Sequence, residues 1–186
     1  MLSFIELMEA ALPLDKVNPN PAKKEVVVIQ GRFQPPTAGH LKAIKAAYKK
    51  YRKPVVIVLV KGAKSDVKFD SKTQKAVFEK MLDMPHMYIE LDTGFVGNWI
   101  HELRNMGKEP KALFCGSDRV KSYQGQINRY KDQLNLDITV EEIARTGEDI
   151  SASKVRDALK NDDFEEFKRN MDPSTHKLYN MLKRKI

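Results

Sequence analysis

A single cysteine, Cys115, occurs in the 186 residues, so no intrachain disulfide can form and a cysteine-built zinc site is excluded. That usage suits a reducing compartment, and a cytoplasmic setting is expected. No run approaches the roughly 20 consecutive apolar residues of a membrane span. No internal repeat or low-complexity tract is visible, and no dense carboxylate cluster stands out to hold a metal. A secretory signal is excluded at the start: Glu6 and Glu9 interrupt the first apolar stretch and no basic residue precedes it.

What is present is the mix of a soluble globular protein, 41% apolar and 31% charged. The length fits one domain with a short appendage. The formal charge of +8 is spread along the chain, which suggests an anionic partner, either nucleic acid or a phosphorylated small molecule. Ser3 to Leu12 has helical spacing of Phe4, Ile5, Leu7, Met8, Ala11 and Leu12. Pro13 ends that helix, and Asp15 to Pro21 reads as a linker. Residues 1–22 are therefore expected as an amphipathic helix plus linker, and 23–186 as the main domain.

The main body alternates strand and helix. Strands are predicted over Glu25–Gln30, Pro54–Val60, Met87–Leu91, Ala112–Cys115 and Asp137–Glu141. Helices are predicted over Gly39–Tyr51, Ser71–Leu82, Val96–Met106, Ser153–Lys160, Asp163–Asn170 and Pro173–Lys185. This order predicts an α/β fold: a Rossmann-like, doubly wound parallel sheet with additional C-terminal helices. In such sheets ligands bind beyond the carboxyl ends of the strands, so the loops after Gln30 and Cys115 are the places to search.

The first of these loops is Gly31-Arg32-Phe33-Gln34-Pro35-Pro36-Thr37-Ala38-Gly39-His40. Gly31 allows a tight turn, Thr37 is suited to cap the next helix, and Gly39 removes bulk where phosphates come close. His40 lies three residues after Thr37, so both can face one ligand at a helix amino end, with Arg32 supplying a forked cation. Gly-Arg-Phe-Gln-Pro followed by Thr-x-Gly-His resembles the signature of the nucleotidylyltransferase superfamily. Near the other end, Ile150-Ser151-Ala152-Ser153-Lys154-Val155-Arg156 resembles the same superfamily's Ile-Ser-Ser/Gly-Thr-x-x-Arg, with Ser153 in place of threonine.

The resemblance implies ATP as substrate, with Gly31, Arg32, Phe33, Thr37, Gly39, His40, Ile150, Ser151, Ser153 and Arg156 binding the nucleotide. It also implies that His40, Thr37 and Arg156 act in catalysis, and that magnesium is carried on the ATP phosphates. Gly116-Ser117-Asp118-Arg119 resembles the superfamily loop that lies against base and ribose, which adds Gly116, Asp118 and Arg119. Asn98-Trp99 resembles the archaeal-type nicotinamide mononucleotide adenylyltransferases, in which the indole stacks on the nicotinamide ring. Lys75 falls where those enzymes carry an arginine near the phosphates. Asn98, Trp99 and Lys75 are therefore expected to bind the acceptor. Lys61 and Lys64 are further phosphate candidates.

The implied reaction is adenylyl transfer from ATP to nicotinamide mononucleotide, giving NAD and pyrophosphate. A cytidylyltransferase and a pantetheine phosphate adenylyltransferase are the alternatives within the superfamily. From another class, the +8 charge and the first helix motivate a nucleic-acid-binding or virion-packaged protein on an inactive enzyme fold. That helix resembles the head-targeting leader peptides of some large tailed bacteriophages, with Leu7-Met8-Glu9 as a processing site. On that resemblance the setting is a host cytoplasm or a phage head.

Overall fold

The computed structural model describes residues 16–17, 19–61, 69–143 and 150–186. The helix expected over Ser3–Leu12 and residue Lys64 lie outside these. Five strands form one parallel sheet in the order β3-β2-β1-β4-β5: β1 (Lys24–Gly31), β2 (Val55–Val60), β3 (His86–Leu91), β4 (Lys108–Cys115) and β5 (Thr139–Glu142). The helices between and after them are α1 (Ala38–Tyr51), α2 (Ser71–Met81), α3 (Val96–Asn105), α4 (Ser117–Tyr130), α5 (Ala152–Lys160), α6 (Phe164–Asn170) and α7 (Tyr179–Lys183). This is the Rossmann-like architecture predicted from the alternation.

β1 reads Val-Val-Val-Ile because the central strand is covered on both faces. Val26 and Val28 point to one side, against α3, α4 and residues of β2 and β4. Val27 and Ile29 point to the other, against Ile44 and Ala47 of α1 and Phe78 of α2. A third cluster docks α5, α6 and α7 on α1 and α2 through Leu41, Val77, Val155, Leu159, Phe167 and Leu182. The C-terminal helices thus bring residues 150–156 back to the amino end of α1. The chain runs outward from β1 through β2 to β3, then returns to the far side of β1 as β4. The crevice where the chain direction divides lies at the carboxyl ends of β1 and β4.

Three differences from the sequence expectation have physical causes. Helix α4 was not predicted, because Ile127 is its one buried residue and a lone apolar position gives no periodic signal. β4 begins at Lys108 rather than Ala112; Glu109 and Pro110 are buried in it, and the register against β1 shifts between Val26 and Val27. The last predicted helix is divided into a 3₁₀ segment (Pro173–Leu178), opened by Asp172 and Pro173, and then α7.

The stretch expected as a linker is also anchored. Val17 is buried in the α3–α4 cluster, and the Ala22 amide donates to Glu109 Oε2 at 2.9 Å. Glu109 in turn forms a two-pronged pair with Arg104, at 3.0 and 2.8 Å, and Arg104 also donates to the Leu134 carbonyl at 2.7 Å.

Candidate active site

The loop after β1 is held from beneath. Gly31 has no side chain because a Cβ would sit 3.0 Å from the Phe33 ring. Phe33 takes a positive φ of 48°, a strained conformation for a bulky residue. Its ring is buried edge-on to His40, with centroids 5.0 Å apart, and to Phe78 at 5.1 Å. Phe33, expected at the nucleotide, therefore supports the His40 ring and leaves little side-chain surface for a ligand. Gln34 makes a two-way bond with the backbone of Phe69, each arm 2.9 Å, and Gln74 of α2 donates to the Arg32 carbonyl at 2.7 Å. Sequence reasoning assigned no role to either glutamine side chain; buried amides facing backbone carry no sequence signature. Arg32 itself is exposed.

Thr37 is the N-cap of α1, with extended backbone, and the His40 side chain turns back on it. The Thr37 amide donates to His40 Nδ1 at 2.9 Å, and the Thr37 hydroxyl also lies 2.9 Å from that nitrogen. This is a capping box with histidine in the third helical position. An Nδ1 that accepts from a backbone N–H holds no proton, so Nε2 carries the ring hydrogen and is a donor. Burial lowers the His40 pKa from 6.5 to about 4, so the ring is neutral near pH 7.

The second motif meets the first. Ser151 caps α5, its hydroxyl accepting from the Lys154 amide at 3.1 Å, while its own amide donates to Asn170 Oδ1 at 3.1 Å. Arg156 donates from Nη2 to Ser153 Oγ at 2.9 Å and from Nη1 to the Gln34 carbonyl at 2.5 Å. A Cβ placed on Gly39 would lie 3.6 Å from both Ile150 Cγ2 and Thr37 Oγ1. Two motifs from opposite ends of the domain thus share one surface, made of two helix amino ends, a donor imidazole and a guanidinium. A guanidinium has five N–H donors, so the two bonds of Arg156 leave donors for an anion. All of these groups suit phosphate oxygens rather than a cation.

The remaining expected residues are placed differently. Gly116 is the N-cap of α4, and Asp118 and Arg119 are exposed and 3.3 Å apart. Trp99, expected to stack on the acceptor, is fully buried in the α3–α4 cluster, and its Nε1 donates to Gln30 Oε1 at 2.8 Å. Stacking needs an open ring face; this indole has none, and it is a core residue. Asn98 donates to Thr93 Oγ1 at 3.3 Å. Lys75 is held by Glu90 of β3 and lies over the Tyr88 ring, so the phosphate role expected for it meets a carboxylate already in place. Lys61 pairs with Asp92 at 2.9 Å. Among the described residues, no group of three or more His, Cys, Asp or Glu is arranged to hold a metal ion, and no helix is long and apolar enough to cross a membrane.

Residues 28–158 match the family model described as cytidylyltransferase-like. No curated protein matches the chain in sequence. Among solved structures, it is similar to a Vibrio parahaemolyticus protein assigned as a nicotinate-nucleotide adenylyltransferase, with TM-score 0.63 and 14% identity over 85% of this chain and 99% of that one. It is also similar to Plasmodium falciparum nicotinic acid mononucleotide adenylyltransferase complexed with APC, with TM-score 0.60 and 13% identity over 86% and 98%. Thermotoga maritima TmcAL bound with alpha-thio ATP aligns with TM-score 0.58 and 14% identity, over 86% of this chain and 55% of that one. At such identities the likeness shows the fold.

Proposed function

The chain belongs to the cytidylyltransferase-like family, and on that premise we propose that it transfers the adenylyl group of ATP to nicotinamide mononucleotide, releasing pyrophosphate. The observation that carries the reading is the convergence of Thr37–His40 with Ser151–Arg156, tied by Arg156 to the Gln34 carbonyl. A pyridine mononucleotide acceptor is supported by the likeness to the Vibrio and Plasmodium proteins, both of which are named for nicotinic acid mononucleotide, the carboxylate form of that acceptor. Trp99, being buried, lends that acceptor no stacking surface.

In this reading ATP lies across the carboxyl ends of β1 and β4, with its phosphates at the amino ends of α1 and α5. An oxygen of the acceptor phosphate attacks the α-phosphorus, the bond to the bridging oxygen breaks, and pyrophosphate departs. The attacking phosphate is already ionised, so no strong base is required. Catalysis is then positioning and charge stabilisation. His40 donates its Nε2–H to an α-phosphate oxygen as negative charge grows there. Its neutral state follows from burial, and its fixed tautomer from the Thr37 amide on Nδ1. Arg156, Arg32, and the Ser151 and Ser153 hydroxyls hold the departing pyrophosphate. Asp118 stands at the start of α4, on the side where base and ribose would lie. Magnesium enters with ATP as part of the substrate, since the donor set offered by the protein is built for anions.

The test is incubation of the full chain with ATP, magnesium and nicotinamide mononucleotide, measuring NAD and pyrophosphate. NAD formed in step with pyrophosphate is the expected result. Pyrophosphate released only with CTP or with a non-pyridine acceptor would keep the family and discard this acceptor. No turnover with any acceptor, together with salt-dependent DNA binding, would replace the reading with that of a binding protein on an inactive enzyme fold.

A further inference from the structure

Gln30 stands at the end of β1, one residue before the phosphate loop, and is 8% exposed. Its Oε1 accepts from Trp99 Nε1, and its Nε2 donates both to the Gly94 carbonyl and to the Tyr123 hydroxyl, each at 2.8 Å. An indole N–H only donates and a carbonyl only accepts, so the partners fix which way the amide points. The Tyr123 oxygen is then an acceptor toward Gln30, and its own proton is directed elsewhere. Among the described residues, Tyr123 has no acceptor for that proton. Burial raises the Tyr123 pKa, so the phenol stays protonated at neutral pH.

Beside that donor lies an acceptor. The Gly94 carbonyl takes one bond from Gln30 and keeps a second lone pair. A Cβ on Gly94 would fall 2.3 Å from Gln30 Nε2 and 3.4 Å from the Tyr123 oxygen, so only glycine lets the three groups close together. Gly94 and Tyr123 are both partly exposed, at the carboxyl end of β1 where the chain direction divides.

We propose that the Tyr123 hydroxyl and the Gly94 carbonyl, set by Gln30, form a donor–acceptor pair that reads a carboxamide on the acceptor's ring and disfavours the corresponding carboxylate. The proposal rests on the pyridine-mononucleotide reading above and refines it. A carboxamide presents an oxygen to Tyr123 and an N–H to Gly94. A carboxylate has no hydrogen to give and sets a negative oxygen against the Gly94 carbonyl. Sites built to hydrogen-bond a substrate group discriminate far more sharply than apolar pockets do. Gln30 and Trp99 act as positioning residues: Trp99 fixes the Gln30 amide, and the amide fixes the direction of the tyrosine proton.

The experiment compares the full-length protein with Tyr123→Phe and Gln30→Glu, using ATP and magnesium with nicotinamide mononucleotide or nicotinic acid mononucleotide. Thermal unfolding of each is measured alongside. The wild type is expected to favour the amide by about tenfold or more. Tyr123→Phe keeps the ring but removes the donor. It is expected to raise KM for the amide acceptor by about 10–100-fold, the range for one lost hydrogen bond that leaves its partner unpaired, to leave KM for ATP unchanged, and to bring the amide-to-acid ratio toward one. Gln30→Glu still accepts from Trp99, but draws the tyrosine proton inward onto its carboxylate, so it should lower the same ratio with the hydroxyl still present. If Gln30→Glu fails to fold, Tyr123→Phe decides alone. A wild type that prefers the acid, equal turnover of both acceptors, or a folded Tyr123→Phe with an unchanged ratio overturns the amide inference only. Turnover with neither pyridine acceptor overturns it together with the acceptor reading on which it rests.

Discussion

Gly39→Ala separates what the fold requires of the phosphate loop from what a ligand requires. Gly39 is the second residue of α1 and does not have a left-handed φ. Alanine in a helix is favoured over glycine by roughly 0.5–1 kcal/mol, mostly because the unfolded chain loses freedom. The new methyl would lie 3.6 Å from Ile150 Cγ2 and Thr37 Oγ1, an ordinary contact distance. The protein therefore has room for it, and the melting temperature should rise by about 1–4 °C for a domain of this size. The methyl would nevertheless project between the two motifs, into the surface shared by the α1 and α5 amino ends. If phosphates rest there, KM for ATP should rise by about 10–100-fold, the equivalent of roughly 1.4–2.7 kcal/mol of lost binding. Scanning calorimetry and a coupled pyrophosphate assay on the same preparation read both effects. A more stable protein with unchanged KM for ATP would remove Gly39 from the phosphate site. A less stable one would mean that the Ile150 contact cannot accommodate a methyl.

His40→Ala should lower turnover by about 10²–10³-fold, as for the loss of one preorganised donor to a developing oxyanion; near-wild-type turnover in the pyrophosphate assay would remove His40 from catalysis. The same ring makes stability depend on pH. Its folded pKa of about 4 lies below 6.5, so the unfolded chain takes up the proton first as pH falls, and stability present above pH 6.5 is lost down to about pH 4. Urea unfolding at pH 7 and pH 4.5 should show the wild type losing about 2 kcal/mol more than His40→Asn across that window. Trp99→Phe should cost about 1–3 kcal/mol, because Gln30 Oε1 loses its buried partner; a variant as stable as wild type with a raised acceptor KM alone would restore the stacking role. Glu109→Ala leaves the Arg104 side chain buried without its carboxylate and should cost about 3–5 kcal/mol in urea unfolding. A loss below about 1 kcal/mol would show that Arg104 is satisfied by the Leu134 carbonyl and water.

The chain order of strand and helix, the buried reading of β1 and both phosphate motifs were legible in the sequence. Each rests on local regularity: an unbroken β-branched run, helical spacing, or glycine, threonine and serine at a helix start. The resemblance to a nucleotidylyltransferase rested on the same short segments, and the family match over residues 28–158 agrees with it. Helix α4 was not legible, because one buried residue, Ile127, leaves no apolar stripe. The destination of Trp99 was not legible either. An isolated tryptophan after a strand reads equally well as a stacking platform or as core, and only the position of α3 against Gln30 decides between them. Lys75 is similar, since its charge is visible in the sequence but Glu90 becomes its partner only when α2 packs beside β3. What tertiary structure alone decided were contacts between residues distant in sequence. These are Arg156 on the Gln34 carbonyl, Ile150 against Gly39, and Gln30 joining Gly94, Trp99 and Tyr123. Local sequence sets which segments become strands, helices and caps; the directional bonds of buried amides and guanidinium groups are set by whatever neighbour the packing brings within about 3 Å.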